Sequence, residues 1–241
     1  MLHTAGIYAC LTLATEGCKY NAMVSPYFMR CNMIIGNILL IFGLATILLG
    51  GGASAAADPA EKGENAQSKA EVLEQSAAAE GVEAVPSPSE IITKAEAQAV
   101  DPVGEEPLED AITCLSRTIY WEAKGEGESG MEAIANVVMN RLGHEGFPGT
   151  ICDIVRQGSE QGSCQFSWWC DGRSDDAQEE KSYEIAKEIA RKALNRQLRD
   201  RTGGALYFHH RKVTPSWSSE FIKTAEVGEH IFYKPHGDGA K

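Results

Sequence analysis

The chain has 241 residues and a net charge of −12, with 43% hydrophobic and 23% charged residues, which is enough for one or two cores. The acidity is local: residues 58–110 hold 14 Asp and Glu against three Lys and no aromatic residue, whereas 111–241 carry a net charge of only −2. A near-neutral second half without a basic face excludes nucleic acid as a partner, and no glycine loop of the nucleotide-binding kind is present.

In chain order, residues 33–49 form an uncharged apolar run, preceded by Arg30 and followed by small residues that suit signal peptidase at Ala55 or Ala57. This predicts a secretory signal peptide; left uncleaved, the run is nearly long enough to attach the protein to a membrane. The first 28 residues look unlike any part of a signal, with Met29 as an alternative start. Residues 1–57 are thus read as a leader, and the product as exported, periplasmic or associated with the cell envelope. Residues 58–110, rich in Ala, Glu, Pro and Ser, lack the apolar surface to offset ordering entropy and predict a disordered acidic linker. Short helical pieces around Val72-Leu73 or Ile91-Ile92 are the most that segment suggests.

From 111 the texture is that of a core. Ile112, Leu115, Ile119 and Ala123 recur at helical spacing, so Glu122 falls at the C-terminal end of a first helix that Gly125 and Gly127 stop. Ser129-Gly130-Met131-Glu132 reads as a capping box opening a second, largely buried helix through Leu142. Thr150 to Asp153 starts a short third helix. Ser174 is expected to cap a long fourth one, with Ile185, Ile189, Ala193 and Leu198 facing inward. Ala205 to His209 and His230 to Tyr233 are short, aromatic and β-favouring. The expected class is α+β, predominantly helical, with a small antiparallel sheet.

Cys10, Cys18 and Cys31 lie in the leader; Cys114, Cys152, Cys164 and Cys170 remain. An even set in an exported protein predicts disulfides. Three pairings are open, and Cys164 with Cys170 would pin the Gln165-Phe166-Ser167 turn. The five-residue gap in that pair is loose for zinc, so neither metal nor cofactor is expected.

Chemistry centres on Tyr120-Trp121-Glu122-Ala123-Lys124-Gly125-Glu126. A carboxyl beside aromatic surface loses solvation, which disfavours its charged form and makes a general acid for neutral pH. At an ordinary carboxyl pKa only about one part in 500 is protonated at pH 7, while a pKa near 6 gives roughly a tenth. Glu126, one turn further on, is either a second carboxylate or a local cap. Gln165 and Ser167 are uncharged polar candidates for binding substrate, and Phe166, Trp168 and Trp169 could stack on substrate or enter the core. Tyr207 and His209 share one strand face, Phe208 and His210 the other, and one pair is expected to line a groove. A His that positions substrate is preferred to one acting as base. Asp171 before Gly172 reads as a turn residue.

These motifs resemble the SleB-like cell wall hydrolases over about 112–234. The resemblance rests on Tyr120 to Glu126, on the Asn140-Arg141 helix end, on Phe147-Pro148-Gly149-Thr150, on Cys164 to Gly172, on Tyr207 to His210 and on Pro215-Ser216-Trp217. It implies a lysozyme-like fold, cleavage of peptidoglycan glycan strands, and Glu122 as general acid/base of a lytic transglycosylase acting at the MurNAc-GlcNAc β-1,4 bond. Tyr120, Glu126, Gln165, Phe166, Ser167, Tyr207, His209 and Trp217 are the candidate substrate-binding residues, and a region of about 130 residues is expected to act as a monomer. Three other readings compete with it. One is a hydrolytic muramidase using Glu122 with Glu126 or Asp171; another is a non-catalytic peptidoglycan-binding module. A Cys peptidase is the third, disfavoured by the even cysteine count.

Overall fold

The computed structural model describes residues 57–81 and 85–237. The apolar run 33–49, and with it the leader, lies outside the described residues. Among the described residues, six α-helices precede a three-stranded sheet: α1 Pro59–Glu80, α2 Lys94–Ala99, α3 Ala111–Ala123, α4 Gly127–Arg141, α5 Ile151–Arg156 and α6 Glu180–Leu194, then β1 Tyr207–His210, β2 Ile222–Val227 and β3 His230–Lys234. The sheet is antiparallel in the order β1-β3-β2, with Tyr207 opposite Tyr233 and Phe208 opposite Phe232. The α+β, mainly helical class expected from the sequence is the class observed.

Helix α3 is buried nearly all round, from Ala111 through Tyr120, because α1, α4, α5 and α6 all pack against it. Its start is fixed by Asp110, whose carboxylate accepts from the N–H groups of Ile112 and Thr113 at 2.9 and 3.0 Å, as a cap should. One face of the sheet, with Phe208, Phe232, Ala225 and Val227, closes onto the helical core. The opposite face carries Tyr207, His209 and Tyr233, the alternation a strand imposes.

The expected linker 58–110 is not a disordered tether. It belongs to one compact unit running from Ala55 to Lys241, and the boundary placed at 111 moves back accordingly. Asp58 caps α1 by accepting from Ala60 N–H at 3.1 Å. Ala66, Ala70, Leu73 and Ala77 then form a fully buried stripe. Small side chains bring backbones together: a Cβ on Gly63 would lie 3.1 Å from the Ala99 carbonyl oxygen. The alanine content that lowers apparent hydrophobicity is thus a close-packing surface. The acids are used too. Glu74 accepts from Ile151 N–H at 2.5 Å, and Glu96 closes a capping box with Thr93 and pairs with Lys69 at 2.8 Å. Asp101 is buried beside Arg117, whose Nη2 is 2.8 Å from its carboxylate.

Two helix starts also differ from expectation. Helix α4 begins at Gly127, not at a Ser129 capping box, because Glu126 is held by the β2–β3 turn and fixes the chain one turn earlier. Helix α6 begins at Glu180, not after Ser174, and ends at Leu194, before Leu198. Residues 174–179 are kept extended by α3 and its neighbours. The carbonyl of Asp175 accepts from Arg117 at 2.6 Å and from the Trp121 indole at 3.0 Å. Ala177 N–H donates to the carbonyl of Gly104 at 2.9 Å.

Candidate active site

Glu122 lies near the end of α3, half-buried, and its carboxyl has no hydrogen-bond or ion-pair partner among the described residues. Loss of solvation pushes its pKa from the ordinary 4.5 up to about 7; the Arg141 guanidinium opposes the rise and the Glu126 carboxylate adds to it. The result is a group that can hold a proton near neutrality with nothing in the protein to receive it.

Tyr120, two residues earlier, has a different role from the one expected. Its ring is fully buried, and its hydroxyl accepts from the N–H groups of Gln178 and Glu179 at 3.1 Å. It anchors the entry to α6 and is out of reach of a glycan. Glu126 is likewise committed: one oxygen accepts from Glu229 N–H at 2.9 Å, and the other lies 2.9 Å from His230 Nδ1. It makes no side-chain cap on α4; instead it fastens the start of α4 to the distant β2–β3 turn. The turn demands close approach, since a Cβ on Gly228, at φ +58°, would meet that same carboxylate at 2.2 Å.

Four of the expected residues do meet. Gln165, Tyr207, His209 and Trp217 line a cavity of about 470 Å³, within the range of small-molecule sites. Trp217 closes one side, with Tyr207 at 5.9 Å, His209 at 5.7 Å and Tyr233 at 5.5 Å between ring centroids. Phe221, 4.9 Å from Tyr207, completes the aromatic wall. Both nitrogens of His209 are occupied: Nδ1 is 3.1 Å from the His210 carbonyl oxygen and Nε2 is 3.1 Å from the Tyr233 hydroxyl. The carbonyl contact makes Nδ1 the protonated nitrogen and directs the Nε2 lone pair at the Tyr233 hydroxyl. Phe166 is fully buried behind the cavity, so it supports the wall and does not stack on substrate. Ser167 is exposed on the turn Ser167–Cys170 and does not line the cavity.

The sequence reading gave Arg141 no role, although it quoted the Asn140-Arg141 pair. Asn140 donates to the Ala205 carbonyl at 3.1 Å and Arg141 Nε to the Leu206 carbonyl at 2.8 Å, which ties the start of β1 to the end of α4. The guanidinium lies 5.1 to 5.8 Å from the rings of Phe147, Phe166 and Tyr207. It lines the same cavity, which Glu122 does not, and its charge interacts with that of Glu122. A basic residue closing a helix otherwise free of charge since Glu132 was the available signal. Phe208, from the other strand face, also lines the cavity, as do Pro215, Ser163 and Phe221.

Two disulfides frame these elements. Cys114–Cys152 joins α3 to α5, and Cys164–Cys170 closes the loop that carries Gln165. A larger concavity of about 1050 Å³ between α1, residues 99–111 and α5 contains neither Glu122 nor the aromatic wall. Among the described residues no group of three or more His, Cys, Asp or Glu is arranged to hold a metal.

Residues 125–233 match the family model described as Cell Wall Hydrolase, beginning just after Glu122. The spore cortex-lytic enzyme of Halalkalibacterium halodurans is 30% identical over 126 residues, covering 50% of this chain and 34% of that protein. The Bacillus cereus enzyme of the same name is 29% identical over 128 residues, covering 51% and 44%. The chain therefore spans less than half the length of these curated relatives. The catalytic domain of the germination-specific lytic transglycosylase SleB from Bacillus anthracis is similar at 27% identity and a TM-score of 0.42, covering 52% of this chain and 93% of that one. By its matching segment and these relatives, the chain is similar over its second half to the cell wall hydrolases and to the spore cortex-lytic enzymes.

Proposed function

We propose that this protein cleaves the glycan strands of peptidoglycan at the MurNAc-GlcNAc β-1,4 bond as a lytic transglycosylase, with Glu122 as the single general acid and base. The observation that carries the reading is Glu122 itself: a half-buried carboxyl, free of protein partners, with a pKa of about 7. In the first step its proton passes to the glycosidic oxygen as the bond to the anomeric carbon breaks. In the second, the carboxylate takes the proton of the muramyl 6-hydroxyl as that oxygen closes on the anomeric carbon. The proton returns to Glu122, no water enters, and the product is a 1,6-anhydromuramic end. Ordinary glycosidases need two carboxylates; here the nearest second one, Glu126, is tied to Glu229 and His230, which favours the one-carboxylate route.

The aromatic cavity suits a sugar, because its rings offer flat apolar surface while Gln165 supplies a donor and an acceptor. The spore cortex-lytic relatives and the lytic transglycosylase title of the Bacillus anthracis domain agree with this chemistry, and no cofactor enters it. Export to the periplasm or cell envelope follows from the substrate and from the apolar run at 33–49, with membrane attachment if that run is retained. A monomer suffices, since every proposed site residue comes from one chain. Glu122→Gln is the first test: an isosteric amide cannot donate the proton, so glycan cleavage should fall to a few per cent or less. Activity above about a tenth of wild type would exclude Glu122 as the acid.

A further inference from the structure

Arg141 is almost fully buried, with 2% of its surface exposed. Its Nε is satisfied by the Leu206 carbonyl, but Nη1 is buried without a hydrogen-bond partner. No described carboxylate lies within ion-pair distance of the guanidinium. Three aromatic rings frame it, and rings compensate a buried cation only in part. Buried charges are normally paired, so an unpaired buried guanidinium on the wall of a cavity asks for an anion that is there only some of the time. Glu122 presents the complementary anomaly, a carboxyl with no partner among the described residues, on which the Arg141 charge acts. The groups that bear on Glu122 are Arg141 and Glu126; those that bear on Arg141 are Tyr207 and Glu122. Glu126 is engaged by His230 and Glu229, and among the described residues Arg141 is the cation that bears on the Glu122 carboxylate.

We propose that Arg141 is the intermittent counter-charge of Glu122, a positioning residue that holds the carboxylate formed when the Glu122 proton has passed to the leaving glycosidic oxygen. This rests on Glu122 being the general acid. With Glu122 protonated, the two groups attract only weakly. Once the proton has gone, the opposite charges attract, and burial of the guanidinium makes that attraction stronger than it would be in water. The interaction is therefore stronger at the charge-separated stage of the reaction than in the resting enzyme, which is the condition for it to accelerate the step. The carboxylate is also held in place to receive the muramyl 6-hydroxyl proton.

The test follows two signals by NMR in the full chain: the Glu122 side-chain carboxyl carbon and the Arg141 guanidinium nitrogens, titrated from pH 4 to 9. In wild type the Arg141 signals should shift with the Glu122 midpoint, and in Glu122→Gln that shift should vanish. In Arg141→Gln, which keeps a donor for the Leu206 carbonyl but no charge, the Glu122 midpoint should rise by about one pH unit. Turnover at pH 7 should drop about tenfold there with KM changed less than about twofold, and Arg141→Lys should recover most of it. Arg141 signals that ignore the Glu122 titration would overturn the proposal, and need no Arg141 variant to fold. An unmoved Glu122 midpoint in folded Arg141→Gln would do the same. Neither outcome touches the assignment of Glu122 as acid, which fails separately if Glu122→Gln remains active.

Discussion

The carboxylate of Asp101 and the guanidinium of Arg117 meet at 2.8 Å with their side chains 0% and 2% exposed. Asp101 comes from the acidic segment before the motif-bearing region and Arg117 from the centre of α3, so the pair joins the two. Around it, the Tyr183 hydroxyl donates to the same carboxylate oxygen, and burial with the adjacent Asp101 charge pushes that hydroxyl's pKa well above its usual value. Lys187 donates to the carbonyls of Gln98, Val100 and Asp101.

Breaking this pair on one side should be severe. Asp101→Ala leaves a buried arginine without its anion, at a cost of about 3–5 kcal/mol, and deletion of 58–110 should leave the remainder unable to fold stably. Urea denaturation of the point variant and solubility of the deletion check this. A deletion with an unchanged melting temperature would mean that the packing of α1 and Asp101 contributes nothing.

That outcome bears on what could be read in the sequence. The helix run from Ile112, the aromatic strands and the place of Glu122 were legible because apolar spacing and motif order are local signals. Residues 58–110 were not, because their core is made of Ala66, Ala70 and Ala77, which score as weakly apolar yet pack backbone against backbone. Their acids look solvated in sequence, whereas Glu74 and Asp101 meet donors 77 and 16 positions away. Tyr120 was misread for a related reason: an aromatic beside a catalytic candidate looks like a ligand until Gln178 and Glu179 are seen to use its hydroxyl. The pairing of four cysteines was open in the sequence and needed the juxtaposition of α3 with α5.

Glu126→Gln should keep substantial activity, since the amide still accepts from Glu229 N–H, with a stability loss of about 1 kcal/mol from the weakened contact to His230. Steady-state cleavage of soluble glycan and a melting curve measure both. Complete loss of activity in a folded variant would favour a two-carboxylate mechanism.

The Glu122 proton makes stability and activity depend on pH in defined directions. The folded protein holds this proton to about pH 7, while the unfolded chain releases it near 4.5. Between those values the folded state binds more protons, so this group's contribution to stability is present at low pH and is lost as pH rises. Glu122→Gln removes that dependence. The variant should gain in melting temperature relative to wild type between pH 4 and 8, by the equivalent of roughly 1–3 kcal/mol given that solvent still reaches the carboxyl. Wild-type kcat/KM should fall above about pH 7 with a single descending limb. An equal pH response of variant and wild type would contradict the raised pKa.

Protein isolated from an oxidising compartment should show no free thiol among Cys114, Cys152, Cys164 and Cys170 under denaturing conditions. Cys114→Ser should cost about 2–4 kcal/mol, because Cys114–Cys152 closes a loop of sequence separation 38. Cys170→Ser should act mainly on activity, by freeing the loop that carries Gln165. Four titratable thiols in the folded protein would refute both bridges.

The most direct measurement is mass spectrometry of the muropeptides released from purified sacculi by protein starting at Ala55, with Glu122→Gln in parallel. Transfer to the 6-hydroxyl predicts anhydromuramic ends from wild type and none above background from the variant. Release of reducing ends carrying one added water instead would contradict the single-carboxylate account.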